Sequence, residues 1–304
     1  MKIAERFAGC ILAGAIGDAY GSVYENQKDE FDSETTLYLF GKPKKTVPNW
    51  KITDDTQLTL ATCETISENE NLNAELFAEK FLKYYKSRKI TGIGASTLKA
   101  MRELEVGGHW SLVGRKGEYS AGNGAAMRIA PLGFVKNISK PLIKDICNIT
   151  HQNDEAYIGA LSVVIAIQLI INETWTGKEN LIELIINEIP DTKVRDRLIE
   201  INKLDGNLTE IGKLGTSGYV VNSVPLAIAF ASKIKEIGMN GMFEKIIELG
   251  GDTDTNCSIA GQIAGTLVGE KGIPTELKEK LMEIKDFEWI NSSIKEYGIN
   301  KNWV

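Results

Sequence analysis

The stretch GGDTDTNCSIAGQIAG, residues 250–265, joins two acidic residues to a run of small and apolar ones. Asp252 and Asp254 are each followed by a threonine, and the next residues have the pattern of a buried helix. A helix start needs only one side-chain acceptor as a cap, so the second carboxylate needs another explanation.

Small residues recur at every fourth position in this stretch and again near the N-terminus. That spacing lines one face of a helix with small side chains and lets another backbone approach closely. Glycine inside a helix costs about 1 kcal/mol relative to alanine, so its repeated use favours a close approach over a merely loosened helix. The residues are Gly9, Ala13, Gly17 and Gly21 in the first segment and Gly261, Gly265 and Gly269 in the second.

The composition is that of a globular protein with a large core, since 43% of the 304 residues are hydrophobic and 25% are charged. We find no linker rich in proline, glycine or serine, so we expect a single domain over residues 1–304. The net charge of −6, with lysines spread among glutamates, argues against a nucleic-acid partner.

The sequence predicts a cytoplasmic protein that does not enter a membrane. Its four cysteines form no Cys-x-x-Cys pair, which is typical of free thiols in a reducing compartment. The apolar N-terminus is interrupted at Gly17-Asp18, unlike a signal peptide. The longest apolar run, residues 156–171, contains Ser162 and Gln168 and is shorter than the roughly 20 residues of a membrane span, so we expect a core helix.

Helical periodicity dominates the chain and predicts an all-α class. The best strand-like segment is TLYLF at 36–40, and nothing evident pairs with it. The predicted helices cover approximately residues 4–17, 55–67, 73–86, 93–104, 140–149, 153–172, 179–188, 191–203, 220–235, 241–248, 255–268, 275–284 and 288–296.

A second acidic motif, ITDDTQLTLA at 52–61, resembles the first in placing adjacent Asp and Thr residues before an apolar helical run. Asp54 followed by Gln57 fits a capping box, so a cap alone could explain either motif taken singly. Each motif offers two carboxylates, however, and neither contains Lys or Arg. Clustered carboxylates repel one another unless a cation neutralises them.

Oxygen ligands from Asp and Thr suit hard divalent cations such as Mg²⁺ or Mn²⁺ better than Zn²⁺. Two helix starts carrying such ligands could hold two metal ions about 3.5–4 Å apart. We therefore expect two Mg²⁺ or Mn²⁺ ions. The expected ligands are Thr53, Asp54, Asp55, Asp252, Asp254 and Thr255.

Two further segments are candidates for ligand binding. In SAGNGAAMRIAPLG, residues 120–133, Gly122 and Gly124 flank Asn123, a pattern that could bring backbone N–H groups close to a ligand or could form an ordinary helix-entry turn. Arg128 could bind a phosphate or form a salt bridge. His151, directly before the longest apolar helix, could contact a ligand or serve as a structural hydrogen-bond donor.

The motifs, in their order along the chain, resemble those of the ADP-ribosylglycohydrolases. The resemblance covers about nine-tenths of the chain, and the combination of the two acidic motifs is its most specific part. The matching segments are GAIGDAYGSVYE (14–25), TDDT (53–56), GNGAAMR (122–128), TH (150–151) and GGDTDT (250–255).

The resemblance implies a compact single-domain orthogonal helical bundle with a two-metal centre in a cleft. It assigns Glu25 to a mobile glutamate that contacts one metal, and it implies that Asp54, Asp55, Glu25 and Asp254 carry the catalysis. The implied substrate-binding residues are Ser120, Gly122, Asn123, Gly124 and His151, with Gly218 and Tyr219 at the border of the cleft.

The implied reaction is hydrolysis of the bond between C1″ of ADP-ribose and an acceptor side chain, which we expect to be arginine on a mono-ADP-ribosylated protein. Two alternatives remain: a non-catalytic ADP-ribose-binding or crystallin-like protein, and a phosphohydrolase acting on the pyrophosphate. The chain departs from the family pattern at Tyr119-Ser120-Ala121, which lacks an aromatic directly before Gly122, and at Pro225, early in a predicted helix. These departures bear on the acceptor rather than on the metal ligands. We expect a monomer.

Overall fold

A computed structural model describes residues 1–25 and 49–300, with side chains through residue 297. Helices dominate these residues, which confirms the predicted all-α class. Among them the strands are limited to two-residue segments, β1 (Arg115–Lys116) and β2 (His151–Gln152), which pair in parallel. The strand-like segment at 36–40 lies outside the described residues.

The helices follow the predicted order along the chain, with ends that mostly agree within three residues. Two short helices, Trp110–Val113 and Leu208–Lys213, were not predicted, because the first has only four residues and the second contains only two apolar residues. The α-helices are α1 (Ile3–Gly21), α2 (Asp54–Glu68), α3 (Ala74–Lys86), α4 (Ala95–Glu105), α5 (Trp110–Val113), α6 (Lys140–Asn148), α7 (Asp154–Ile171), α8 (Leu181–Ile186), α9 (Lys193–Asn202), α10 (Leu208–Lys213), α11 (Val220–Ser232), α12 (Ile234–Leu249), α13 (Thr253–Val268), α14 (Thr275–Met282) and α15 (Phe287–Asn300). Short 3₁₀ helices occupy Glu118–Ser120, Ala126–Arg128, Ala130–Phe134 and Glu270–Gly272.

Helices α1 and α13 pack backbone to backbone through their small residues. A Cβ atom added to Gly21 would lie 2.6 Å from Cα of Asp254, and one added to Gly265 would lie 2.7 Å from the carbonyl carbon of Gly9. A Cβ on Gly17 would lie 2.9 Å from the backbone nitrogen of Ser258. No side chain fits at these positions, so the predicted close approach joins these two helices.

Helix α1 continues four residues beyond residue 17, so the prediction that the helix ends there was wrong. Glycine is required at position 17 of this helix because any side chain there would overlap the backbone of α13. Asp18 is tolerated inside the helix because its carboxylate accepts hydrogen bonds from Thr53 and Thr56, which lie at the start of α2. The polar residue therefore joins two helices rather than ending one.

Helix α7 runs through the core, as its apolar sequence predicted. By length and composition it could cross a membrane, but 67% of its residues are buried inside the protein. Ser162, one of its polar residues, is buried and donates a hydrogen bond to the carbonyl of Ile158 one turn earlier. All four cysteines are free and buried, in agreement with the predicted thiols.

Substituting Gly265 with alanine should destabilise the protein by about 1–3 kcal/mol, because the added methyl group would overlap the backbone of α1. Gly241→Ala is the control: Gly241 lies in the helical turn of α12 that follows a break at Gly238 (φ 68°), and a Cβ there would meet only Cβ of Ile237, at 3.7 Å. The control should be neutral or stabilising by up to about 1 kcal/mol, since alanine favours helix. Urea unfolding measures both, and equal effects would contradict the close packing.

Candidate metal and substrate site

The two acidic motifs meet in space at the N-termini of α2 and α13. Asp54 opens α2 and Asp254 lies in the first turn of α13. The hydroxyl of Thr255 donates to Oδ2 of Asp55 at 3.2 Å, although the two residues are 200 positions apart in sequence. The packing of α1 against α13 and the bonds from Asp18 to α2 hold these helix starts together.

A single pocket collects most of the predicted site residues. Five carboxylates line it, and the residues lining it within the described chain include no Lys or Arg. The pocket is therefore strongly acidic. The predicted residues that line it are Glu25, Asp54, Asp55, Gly122, Asn123, Gly124, His151, Asp252, Asp254 and Thr255, and the others are Gly92, Gly94, Ala95, Ser96, Thr97 and Met127.

The donor atoms fit hard divalent cations. Carboxylate oxygens of Asp18, Asp55 and Asp254 lie within 4.8 Å of one another, as do those of Glu25, Asp252 and Asp254. Asp254 belongs to both groups, so it would contribute oxygen ligands to a cation held by either group. Oxygen atoms at this spacing, with no sulfur or imidazole ligand among them, suit Mg²⁺ or Mn²⁺.

An orphaned oxygen atom supports this fit. Oδ1 of Asp55 is buried and has no hydrogen-bond partner among the described residues. A buried carboxylate oxygen left without a partner is unfavourable, because it has lost its hydration and gained nothing in return. A cation coordinated by Asp55 would supply the missing interaction.

Without a cation, the site is electrostatically unfavourable. Burial raises the pKa of Asp55 well above its ordinary value, and the charge of Asp254 raises it further. Burial also raises the pKa of Asp54 to about 8, with a contribution from the charge of Asp18. The pKa of Asp252 is raised for the same first reason, burial, and next by Asp254. Each shift shows that ionised carboxylates are costly here unless positive charge is added.

Asp18 is the central residue that the sequence reasoning missed. It is fully buried, and its carboxylate accepts from the Thr53 backbone N–H at 2.9 Å, the Thr53 hydroxyl at 2.7 Å and the Thr56 backbone N–H at 3.1 Å. The Thr56 hydroxyl also donates to it. Asp18 thus caps α2 from another helix and orients the adjacent Asp54 and Asp55. An acidic residue inside a stripe of small helical residues was the available signal.

Four predicted residues lie outside the pocket lining. The Thr53 hydroxyl donates to Asp18, and the Ser120 hydroxyl donates to the carbonyl of Gly117. Gly218 accepts the backbone N–H of Asn123, and Tyr219 forms an antiparallel bridge with Gly122. The structure gives these four residues supporting contacts, and direct ligand contact by them stays a prediction.

The glycine-rich loop is shaped by His151. A Cβ on Gly122 would lie 3.2 Å from Nε2 of the His151 ring, and one on Gly124 would lie 2.8 Å from Cε1. The backbone N–H of Asn123 donates to Gly218 and its side-chain Nδ2 donates to Asp252 at 2.6 Å. The expectation that this loop offers its N–H groups to a ligand is therefore wrong for Asn123, because strand-like pairing uses that group.

Arg128 takes neither of its two predicted roles. It is fully buried, does not line the pocket and has no ion pair among the described residues. Its guanidinium donates to the carbonyl of Gly124 and to the hydroxyl of Thr150 at 2.7 Å, and it stacks over Phe81. It supports the glycine-rich loop from inside the core.

A second element at the pocket also escaped the sequence reasoning. Helix α4 begins at Ala95 with Gly94 as its N-cap, and no side chain caps it. Its first residues, Ala95, Ser96 and Thr97, line the pocket, and the N–H of Gly94 donates to Oδ2 of Asp54 at 3.4 Å. An uncapped helix N-terminus attracts anionic groups. The available signal was Thr-Gly-Ile-Gly at 91–94.

Asp18→Asn should weaken divalent metal binding by about 10–100-fold, the usual effect of removing a group that orients metal ligands. Asparagine keeps the size of the side chain but presents an NH₂ group to donors of Thr53 and Thr56. Titration calorimetry with Mn²⁺ measures the affinity, and exposed Asp196→Asn is the control. Wild-type affinity in Asp18→Asn would show that the carboxylate does not organise the site.

Comparisons with known proteins agree with this geometry. Residues 1–301 match the family model described as ADP-ribosylglycohydrolase. The chain is 27% identical to ADP-ribosylhydrolase ARH3 of Xenopus tropicalis, over 93% of each protein. It is 25% identical to ADP-ribosylarginine hydrolase Tri1 of Pseudomonas putida, covering 91% of this chain and 74% of that protein.

A solved structure shares the fold. The protein titled "ADP-ribosylglycohydrolase-related protein complex" superposes with a TM-score of 0.71 and 22% sequence identity, covering 99% of each chain. Identity at that level carries the architecture alone. Together with the match over nearly the whole sequence, it leads to one conclusion. The chain belongs to the ADP-ribosylglycohydrolase family.

Proposed function

We propose that this protein is a divalent-metal-dependent hydrolase that removes mono-ADP-ribose from an acceptor side chain by cleaving the C1″ glycosidic bond, with arginine as the acceptor. The observation that carries the proposal is the pocket in which five carboxylates from three separate segments converge beside neutral hydrogen-bonding groups. A structural role would not require such a concentration of buried negative charge.

The bound cations would orient the ribose hydroxyls and stabilise charge as the glycosidic bond breaks. Asp55, Asp252 and Asp254 would hold them, since Asp55 and Asp254 belong to one ligand group with Asp18, and Asp252 and Asp254 belong to the other with Glu25. Asn123 fixes Asp252 through its side-chain amide. The chain therefore supplies anionic ligands that are themselves held in place.

Glu25 is the best placed residue to accept a proton from the attacking water. It is more exposed than the aspartates, so water reaches it, and it still lies in a ligand group with Asp252 and Asp254. Burial raises the pKa of Glu25, and the charge of Asp254 raises it further. A carboxylate with a raised pKa is a stronger base, which suits it to general-base catalysis.

The first turn of α4 is the part of the pocket lining that suits the diphosphate. The N-terminus of α4 faces the pocket with Ala95, Ser96 and Thr97, and helix N-termini bind phosphate through backbone N–H groups. Ser96 and Thr97 add hydroxyl groups. A phosphate bound there would lie in the same pocket as the carboxylates that suit cations, which supports ADP-ribose as the ligand.

The charge of the pocket favours arginine as the acceptor. Five carboxylates line the pocket and buried Asp18 adds a sixth, so two divalent cations would leave negative charge to attract a cationic guanidinium. One relative is named an ADP-ribosylarginine hydrolase, which supports the same acceptor.

The buried free thiols fit a reducing environment and support a cytoplasmic location.

The proposal is tested with an arginine-ADP-ribosylated peptide and Mg²⁺, by measuring free ADP-ribose. We expect release by the wild type, loss of release with EDTA, and a loss of about 100-fold or more with Asp254→Asn, which removes a charge from both ligand groups. The control Asp196→Asn should retain full activity. If the protein binds ADP-ribose but releases none from either an arginine-linked or a serine-linked peptide, it is instead a non-catalytic binding protein.

Glu25→Gln should lower kcat by about 100-fold or more, as expected for loss of a general base, while the affinity for ADP-ribose changes little. The amide keeps the size of the side chain and can still coordinate weakly, but it cannot accept the proton. Steady-state kinetics and calorimetry separate the two effects. Full activity in Glu25→Gln would assign the proton transfer to another residue.

A further inference from the structure

We propose that Arg128 and Thr150 are positioning residues that hold His151 in its Nε2–H tautomer, so that this ring offers the pocket a hydrogen-bond donor and not an acceptor. The ligand end of this inference rests on the proposed function. The tautomer itself depends only on contacts within the chain and is measurable without any ligand.

The chain of contacts begins at a group that can only donate. Arg128 is fully buried, and its Nη2 donates to Oγ1 of Thr150 at 2.7 Å. Because a guanidinium has no acceptor atom, the Thr150 oxygen must be the acceptor in this bond. The second Arg128 contact, to the carbonyl of Gly124, fixes the direction of the guanidinium.

The bond from Arg128 determines which atom donates in the next hydrogen bond, between Thr150 and His151. Oγ1 of Thr150 lies 2.8 Å from Nδ1 of His151, and both residues are buried. If Nδ1 carried the proton, the Thr150 hydroxyl hydrogen would lack an acceptor, since among the described residues this oxygen contacts only Arg128 and His151. An unsatisfied buried donor is unfavourable enough to reduce that tautomer by about tenfold or more. Thr150 therefore donates to Nδ1, and the proton resides on Nε2.

The other edge of the ring faces the pocket. His151 lines the pocket, with Nε2 and Cε1 against Gly122 and Gly124, where an added Cβ would lie 3.2 Å from Nε2 and 2.8 Å from Cε1, respectively. The two glycines leave space for the ring and for a ligand atom beside it. Nε2 is thus the ring atom that can contact a ligand.

The charge state of the ring is consistent with a neutral donor. Burial lowers the pKa of His151 to about 3, and the positive charges of Arg128 and Arg115 act in the same direction. The ring therefore stays neutral near pH 7 and has one N–H group. The ligand group opposite Nε2 must be an acceptor, such as a ribose oxygen or a phosphate oxygen, and a group that only donates would be rejected.

The tautomer is measured directly by NMR of protein labelled with ¹⁵N at histidine. The chain has only two histidines, and exposed His109 can be replaced by asparagine, which also suits a helix N-cap. Long-range ¹H–¹⁵N correlations of the remaining ring distinguish the two tautomers. We expect the Nε2–H pattern in the otherwise wild-type protein, and an Nδ1–H pattern would overturn the proposal.

Substitutions then test the role of Thr150. Thr150→Val should produce a mixture of tautomers and weaken ADP-ribose binding about tenfold, whereas Thr150→Ser should keep the wild-type pattern and affinity within about twofold. Thr65→Val is the matched control, because the Thr65 hydroxyl is also buried but bonds only to the carbonyl of Ala61. Thermal unfolding shows that each variant is folded. An unchanged pattern in folded Thr150→Val would contradict the proposed role.

Adding ADP-ribose separates this inference from the proposed function. A shift of the Nε2–H proton on saturation would show that the ring donates to the ligand. No binding of ADP-ribose, together with the Nε2–H pattern, would contradict the proposed function and leave the positioning by Arg128 and Thr150 standing. Binding without any shift at Nε2–H would overturn the donor role.

Discussion

The direct contact between the backbones of α1 and α13 is the constraint on which the site depends. At Gly17 and Gly21 there is no space for a side chain between the two helices. The contact places Asp18 of α1 beside the first turn of α13, within 4.8 Å of an Asp254 oxygen. Since Asp18 also caps α2, one buried carboxylate connects both acidic motifs. The glycine stripe is thus a requirement of the site as well as of the fold.

The same arrangement creates an electrostatic conflict, because the buried carboxylates repel one another unless a cation or protons neutralise them. Burial raises the pKa of Asp18 to about 7, and its hydrogen bonds to Thr56 and Thr53 offset part of that shift. Asp55 has fewer compensating contacts and keeps an oxygen without a partner. A folded protein tolerates such groups where function needs them, because the remaining core supplies the stability. The conflict is therefore the physical signature of a cation site.

A residue of the site could be predicted from the sequence only where its role is evident from the residues next to it. Asp54, Asp55, Asp252 and Asp254 were predictable because two carboxylates at one helix start exceed the needs of capping. Asp18 was not, since its partners lie 35 and 38 positions away and its neighbours are apolar. The contribution of the α4 N-terminus to the pocket was missed for a different reason. It comes from backbone N–H groups, which no side-chain pattern reveals. Helix ends were predicted well because capping residues mark them.

The proposed function requires the pocket to bind both cations and phosphate groups. These two tasks would interfere with each other if both used charged side chains. A lysine or arginine in the lining could bind phosphate, but it would also pair with the nearby carboxylates and compete with the cations. Within the described lining, the groups proposed to bind phosphate are neutral: the N-terminus of α4 and the ring of His151. Arg128 follows the glycine-rich loop closely in sequence, but it is buried behind that loop, where it donates hydrogen bonds to Gly124 and Thr150. Among the described residues, its guanidinium forms no ion pair with the carboxylates of the pocket, so it does not compete with a cation for them.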